Sequence, residues 1–227
     1  MSRSKRYQEE VKKIDKNKAY GITEAIALAK NKTTKFDGSV EAHIRLGIDL
    51  QKTDQQVRGT ISLPHGTGKS LKVAAVVNAA KVKEAKDAGA DVVGSEELIE
   101  EIKKSGKIDA DVVVTTPDLM PKMASIAKIL GPKGLMPSPK NETITINLAK
   151  TIGELKKGRV TFKSDDTGNI HQSIGKTSFD SKQLLENYQA LLEAVKKAKP
   201  SGAKGTYIKN ISLASSMGPG IKVDLTQ

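Results

Sequence analysis

The segment Gly66-Thr67-Gly68-Lys69-Ser70 is where residue types in this 227-residue chain first suggest chemistry, because glycine-rich loops ending in Lys-Ser cradle phosphates. Backbone amides wrap a phosphate only if another glycine stands five positions before Gly68, and that position is Leu63. The loop also follows Leu-Pro-His and precedes a predicted strand, whereas a phosphate loop opens a helix. Nucleotide hydrolysis is therefore not expected, and Gly66 and Gly68 read as a flexible joint. The three histidines, His43, His65 and His171, include no pair at metal-ligand spacing. With no cysteine, disulfides and thiolate metal sites are excluded. Asp165 and Asp166 fall in a predicted hairpin turn, where acids serve the backbone. Glu96, Glu97, Glu100 and Glu101 form a solvated helix face. No catalytic set, metal or cofactor is expected.

Two other turns suggest a different chemistry. Residues 35–39 (KFDGS) bend into an alternating strand, and residues 215–220 (SSMGPG) join the last two strands. Hydroxyls and glycines let backbone approach sugars and phosphates, and 2′-OH contacts select RNA. A pair of plain turns, with Met217 plugging the edge of the core, accounts for the same residues. The loop 131–140 (GPKGLMPSPK) is open in the same way: Lys133 and Lys140 touch RNA, or the loop is simply mobile.

The elements that must position these turns are legible from periodicity. Residues 1–30 read as two helices, the second over 23–30 with Thr23 as its cap. From 40 to 50 the period is two, with Val40, Ala42, Ile44, Leu46, Ile48 and Leu50 inward and Glu41, His43, Arg45 and Asp49 outward. A second strand is expected at 57–63. The middle alternates strands at 72–78, 91–93 and 111–115 with helices at 81–89, 95–106 and 118–130, which argues for a parallel, Rossmann-like sheet. Ser95 is the expected cap of the 95–106 helix. After 156 come strands at 159–163 and 170–174, expected to pair across the 165–169 turn. A helix over 181–199 with Leu184, Leu185, Tyr188, Leu191, Leu192 and Val195 on one face follows, then strands at 206–214 and 220–225. The fold class is α/β: a split α+β first domain formed by both termini (1–64 and 156–227), with an inserted Rossmann-like α/β second domain (65–155). Gly66, Gly68, Gly153 and Gly158 would serve as hinges at the two crossings.

Charge agrees with that division. Of the net +12, residues 1–64 carry +5, residues 156–227 carry +6, and the stretch between carries +1. A surplus of this kind points to a polyanion partner, with a lysine-rich soluble surface as the plain alternative. No Trp, three Phe and four Tyr are too few for a base-stacking platform. No helix-turn-helix pattern or basic recognition helix suggests duplex DNA. The charged first 20 residues hold no apolar core of a signal peptide, and no run approaches the roughly 18 apolar residues of a membrane span, so a cytoplasmic protein is expected.

At the two turns the chain resembles the ribosomal protein L-one family of the large subunit, in length a bacterial member. The matching segments, in order, are KFDGSVEAHIRLGID, VRGTISLPHGTGK, ILGPKGLMPSPK, KGRVTFKSDDTGNIHQSIGK and GAKGTYIKNISLASSMGPG. The resemblance implies a mobile stalk protein beside the tRNA exit site, with partners in large-subunit rRNA, exit-site tRNA and its own operon mRNA, whose translation it represses. Outside the ribosome it implies a monomer. It places RNA contacts at Lys35, Phe36, Ser39, Ser216, Met217, Gly218 and Gly220, and adds Lys163, Thr167, Gly168 and His171. Two departures stand out: Ser39 where Thr is expected, keeping the hydroxyl, and Gly38 where an acid is expected, loosening the bend.

Overall fold

A computed structural model describes residues 4–15, 18–30, 36–49, 52 and 55–225, with the Lys140 side chain left out. The chain divides into unit 1 (Met1–Gly68 and Val160–Gln227) and unit 2 (Lys69–Arg159). Unit 1 begins with α1 (Lys5–Lys12), α2 (Ile22–Ala29), β1 (Ser39–Leu46) and β2 (Arg58–Ser62). Unit 2 follows with β3 (Val73–Val76), α3 (Val82–Asp87), β4 (Val92–Gly94), α4 (Glu96–Ser105), β5 (Val112–Thr115), α5 (Met120–Met123), α6 (Ala127–Leu130) and α7 (Leu148–Lys156). Then β6 (Arg159–Lys163), β7 (Asn169–Lys176), α8 (Ser181–Lys197), β8 (Ile208–Ser215) and β9 (Ile221–Val223) complete the chain. The class is mixed α/β.

In unit 1 the alternation of β1 works as its sequence dictates: Val40, Ala42, Ile44 and Leu46 are buried. They share one core with Ile170 and Ile174 of β7, Ile211 and Leu213 of β8, Ile26 of α2, and Leu184, Leu191 and Val195 of α8. The main sheet runs β7-β1-β8-β9, antiparallel throughout, and β2 pairs with β6 in a separate two-stranded sheet. The expected hairpin is kept only at its turn, where Asp165 N–H bonds the Asn169 carbonyl at 2.8 Å and Ser164 bridges Ile170; beyond it β7 runs along β1 and β6 along β2. The reason is nonlocal: both edges of β1 need hydrogen-bond partners, and β7 brings them together with two core isoleucines.

Other expectations move as well. The strand from Val40 stops at Leu46, where its register against β8 shifts; Gly47 N–H still bonds the Tyr207 carbonyl at 2.6 Å, Ile48 packs beside the core and Leu50 lies outside the described residues. Helix α2 is capped at Gly21, not Thr23, with no side-chain bond. On α8, Leu184, Tyr188, Leu191 and Val195 of the expected face are buried together with Asn187, while Leu185 and Leu192 are partly buried at its edge.

In unit 2 the parallel sheet β4-β3-β5 is covered on both faces. Ala74 and Val76 pack with Ile99, Ile102, Met123, Ile126 and Leu130; Val73, Ala75 and Val77 pack with Ala85, Leu148, Ile152 and Leu155. A strand buried on both sides reads as a continuous apolar run, which is what VAAV is. Its first amides are held by carboxylates: Asp91 accepts from Val73 N–H at 2.9 Å and Asp111 from Lys72 N–H at 3.1 Å. The Val73 N–H holds the Asp91 carboxyl below its ordinary range, and the Lys69 ammonium does so for Asp111.

The helix expected over 118–130 is broken into α5 and α6 by a 3-10 turn at Ala124–Ile126, where Ser125 Oγ donates back to the Lys122 carbonyl and tightens the turn. Ser95 caps α4 by position but forms no side-chain cap bond. Helix α7 was not foreseen; Asn147 caps it by accepting from Lys150 N–H, and Gly153 lies inside it. Gly158, with φ 103°, follows the helix end, and Gly66 and Gly68 have φ 64° and 73°. A Cβ at Gly68 would lie 3.0 Å from the Phe179 ring, so this glycine is packed as well as left-handed.

Asn187 fastens the 65–66 segment to α8. Its Oδ1 accepts from His65 N–H at 3.1 Å, and its Nδ2 donates to the carbonyls of Gly66 at 2.9 Å and Ile174 at 2.8 Å. Asn187→Ala removes all three bonds from a fully buried site and should cost about 3 kcal/mol in urea unfolding, with faster amide exchange at His65. A loss under about 0.5 kcal/mol would show that these bonds contribute no net stability.

Candidate nucleic-acid interface

The turns at 35–39 and 215–220 meet. Ser216 N–H donates to the Ser39 carbonyl at 2.8 Å, and Ser39 N–H donates to Ser216 Oγ at 3.1 Å. Phe36 and Met217, both apolar, are 54% and 71% exposed beside this junction. Gly38 lies between Ser216 and Phe36: a Cβ there would be 3.4 Å from Ser216 Cβ and 3.7 Å from the Phe36 ring. The bend is tied down despite Gly38, because the Asp37 carboxylate accepts from Thr177 Oγ1 at 2.8 Å, Ser178 N–H at 3.0 Å and Ser178 Oγ at 2.7 Å. Lys35 lies outside the described residues.

On the opposite side the turn is as tight. Gly218 N–H bonds the Ser215 carbonyl at 2.8 Å, and a Cβ on Gly218 would meet Ser215 Oγ at 2.3 Å, so only glycine fits without displacing that hydroxyl. Gly220 is exposed with open space around it.

The second set lies at the other end of β1. Leu46 N–H bonds the buried Gly168 carbonyl at 2.9 Å, and Arg45 is opposite Asn169. Seven residue steps separate Ser39 from Leu46, about 23 Å along the strand. Asp165 builds this turn, accepting from Thr167 N–H at 2.9 Å, Thr167 Oγ1 at 2.7 Å and Asn169 N–H at 2.6 Å. Those donors, the Thr167 hydroxyl foremost, hold its carboxyl far below the usual carboxylate range. Lys163 is exposed at the end of β6.

Between the two ends runs the outward face of the sheet, with Glu41, His43 and Arg45 on β1, His171 and Ser173 on β7, and Asn210 and Ser212 on β8. The structure thus gathers Phe36, Ser39, Ser216, Met217 and Gly218 at one end and Thr167 and Gly168 at the other, with His171 midway. The loop 131–140 belongs to unit 2, where Leu135 and Met136 pack against the core and Lys133 Nζ donates to the Gly106 carbonyl at 3.3 Å.

The profile of the ribosomal protein L1p/L10e family matches residues 28–219. The chain is 50% identical over 222 residues to the large ribosomal subunit protein uL1 of Mycoplasma capricolum, covering 97% of this chain and 98% of that protein. It is 54% identical over 223 residues to uL1 of Kosmotoga olearia, covering 98% and 96%. The chain belongs to the ribosomal protein L1p/L10e family. No helix among the described residues is long and apolar enough to cross a membrane, and no group of three or more His, Asp or Glu among them is placed to hold a metal ion.

In this family member, sequence reasoning passed over Arg6, Asp37 and the pairing of His43 with His171. The alternation of β1 placed His43 outward, but only the register of β7 sets His171 opposite it, with Nδ1 to Nδ1 at 2.8 Å. One nitrogen must donate and the other accept, so the contact tolerates one charged ring and not two. Burial first, then His171, lower the His43 pKa, while Glu41 opposes them. Because its folded value lies below the ordinary 6.5, the unfolded chain binds the proton more readily, and His43 costs stability as pH falls through 6.5 toward the folded value. An NMR titration should place the His43 midpoint below 6.5, and His171→Ala should move it upward. A midpoint above 6.5 in the parent protein would contradict the pairing.

Proposed function

We propose that this chain is a non-enzymatic constituent of the large ribosomal subunit, cytoplasmic with the ribosome, that binds large-subunit rRNA directly through unit 1. Family membership makes it a ribosomal protein, and the relatives named above belong to the large subunit. The observation that carries the RNA site is the junction of Ser39 with Ser216, which brings two exposed apolar side chains, Phe36 and Met217, together from opposite ends of the chain. Such a surface suits a folded helix-and-loop RNA: the hydroxyls and turn amides meet 2′-OH and phosphate groups, and the two apolar side chains pack on unstacked bases. Lys163, Thr167, Gly168, His171 and Gly220 extend the footprint, as does Lys35, and Arg45 adds charge on the sheet face.

In the finer reading, the protein sits in the mobile stalk near the tRNA exit site and assists release of deacylated tRNA. Unit 1 then acts as the discontinuous RNA-binding domain and unit 2 as the inserted Rossmann-like domain, swinging on Gly66, Gly68, Gly153 and Gly158. The same surface binds a mimic of its rRNA site in its own operon mRNA and represses translation.

Binding to a large-subunit rRNA fragment, compared with an unrelated RNA of equal length at two salt concentrations, tests the site. Met217→Ala and Phe36→Ala should each weaken the specific fragment roughly tenfold while leaving the unrelated RNA nearly unchanged. Equal losses on both RNAs would remove these residues from specificity. Affinity should fall steeply with salt, and a flat response would rule out phosphate contacts as a main source of binding.

A further inference from the structure

The turn from Ser215 to Gly218 has an unexpected residue in it. The Gly218 N–H to Ser215 carbonyl bond makes it a β-turn with Met217 in third position, and Met217 has φ 65°. A turn with positive φ there normally carries glycine, because an L side chain pays a conformational penalty in the left-handed region. Among the described residues only Glu142 and Met217 are non-glycine residues with such a φ. A left-handed residue persists only where its surroundings fix it. Ser39 holds the turn on one side, through Ser216. On the other side stands Arg6 of α1, whose Nη2 donates to the Met217 carbonyl at 2.9 Å.

The Arg6 guanidinium is itself aimed. Its Nη1 donates to Glu10 Oε1 at 3.3 Å, one helical turn on, and Glu10 is buried. A planar fork can serve a carboxylate and a carbonyl together, which a lysine ammonium does less well. The helix is anchored at its start by Ser4 Oγ, which accepts from Tyr7 N–H.

We infer that Arg6, oriented by Glu10, is a positioning residue that fixes the backbone of the Met217 turn in its left-handed form, and thereby presents the Met217 side chain to RNA. The inference rests on the RNA-site reading above. It assigns to α1, which holds none of the expected contacts, a role in specificity beyond its contribution to charge.

The test uses the full chain with Arg6→Ala, Arg6→Lys, Glu10→Gln and, as a charge control on the same helix, Lys12→Ala. Amide exchange at Gly218 and the Met217 methyl resonance are read in the free protein. Affinity is then measured for the large-subunit rRNA fragment and for an unrelated RNA of equal length. Arg6→Ala should accelerate exchange at Gly218 and weaken the specific RNA about tenfold, and the unrelated RNA no more than Lys12→Ala does. Arg6→Lys should restore the charge-dependent part only, and Glu10→Gln should reproduce part of the Gly218 effect. Unchanged exchange and resonance in Arg6→Ala would overturn the inference, as would equal losses on both RNAs matching Lys12→Ala. Failure of the RNA-site reading would look different: Arg6→Ala would still speed exchange at Gly218, while Met217→Ala left the specific RNA untouched.

Discussion

Strand β1 can satisfy neither of its edges from the first half of the chain. Its hydrogen-bond partners on both sides, β7 and β8, begin only after residue 168, and the buried alternation of Val40, Ala42, Ile44 and Leu46 fixes the register against each. A slip of one residue would turn all four toward solvent, so the register is stringently set. That one constraint places Ser39 beside Ser216, His43 opposite His171, and Arg45 opposite Asn169. Every candidate contact in the sheet is a consequence of it. It also means that the site cannot exist until nearly the whole chain is present, because the fold of unit 1 is built from non-local pairing.

Charge plays a smaller part than the sequence suggested. Drawn at the structural boundaries, unit 1 has 22 Lys and Arg against 14 Asp and Glu, a net of +8, and unit 2 has 16 against 12, a net of +4. The near-neutral middle depended on assigning Lys156, Lys157 and Arg159 elsewhere. Both units pair part of their charge internally, Arg6 with Glu10 and Lys18 with Glu24 in unit 1 for example. In unit 2, Lys69, Lys72, Lys122, Lys150, Lys156 and Arg159 all meet carboxylates, and Asp91 and Asp111 in addition hold the first amides of β3. Six of its twelve acids, Asp91, Glu96, Asp109, Asp111, Glu142 and Glu154, meet its own cations. Exposed pairs of this kind contribute little stability each, but they lower the field available to an external polyanion.

Local patterns in the sequence were a good guide to local structure. The period-two run of β1, the apolar VAAV strand and the one-sided helix α8 all formed near their expected positions, since burial on a given face is encoded residue by residue. What stayed hidden depends on distant partners or on a single side chain. The edge that β7 pairs with is decided by core residues elsewhere. Helix α7 contains a glycine and two β-branched residues and looks weak by propensity, yet Leu148, Ile152 and Leu155 bury it. Asn187 sits on the apolar face of α8 as a polar residue, and its purpose appears only when the carbonyls of Gly66 and Ile174 arrive beside it. The two turns of the candidate site were legible as turns, but their meeting was not.

A basic surface attracts any RNA, so specificity must come from groups whose positions are fixed before the RNA arrives. The Ser39–Ser216 pair, the Asp37 carboxylate and the Asp165 turn do this with short hydrogen bonds inside unit 1, and each satisfies backbone groups that would otherwise move. Side chains held this way lose less entropy on binding than side chains on free loops. Met217 is the extreme case, a flexible apolar side chain on a backbone conformation that its type disfavours. Glycine would relieve that backbone cost but would remove the exposed apolar side chain. If the proposed RNA site is right, methionine at this left-handed position sets a cost in folding against a contact in binding.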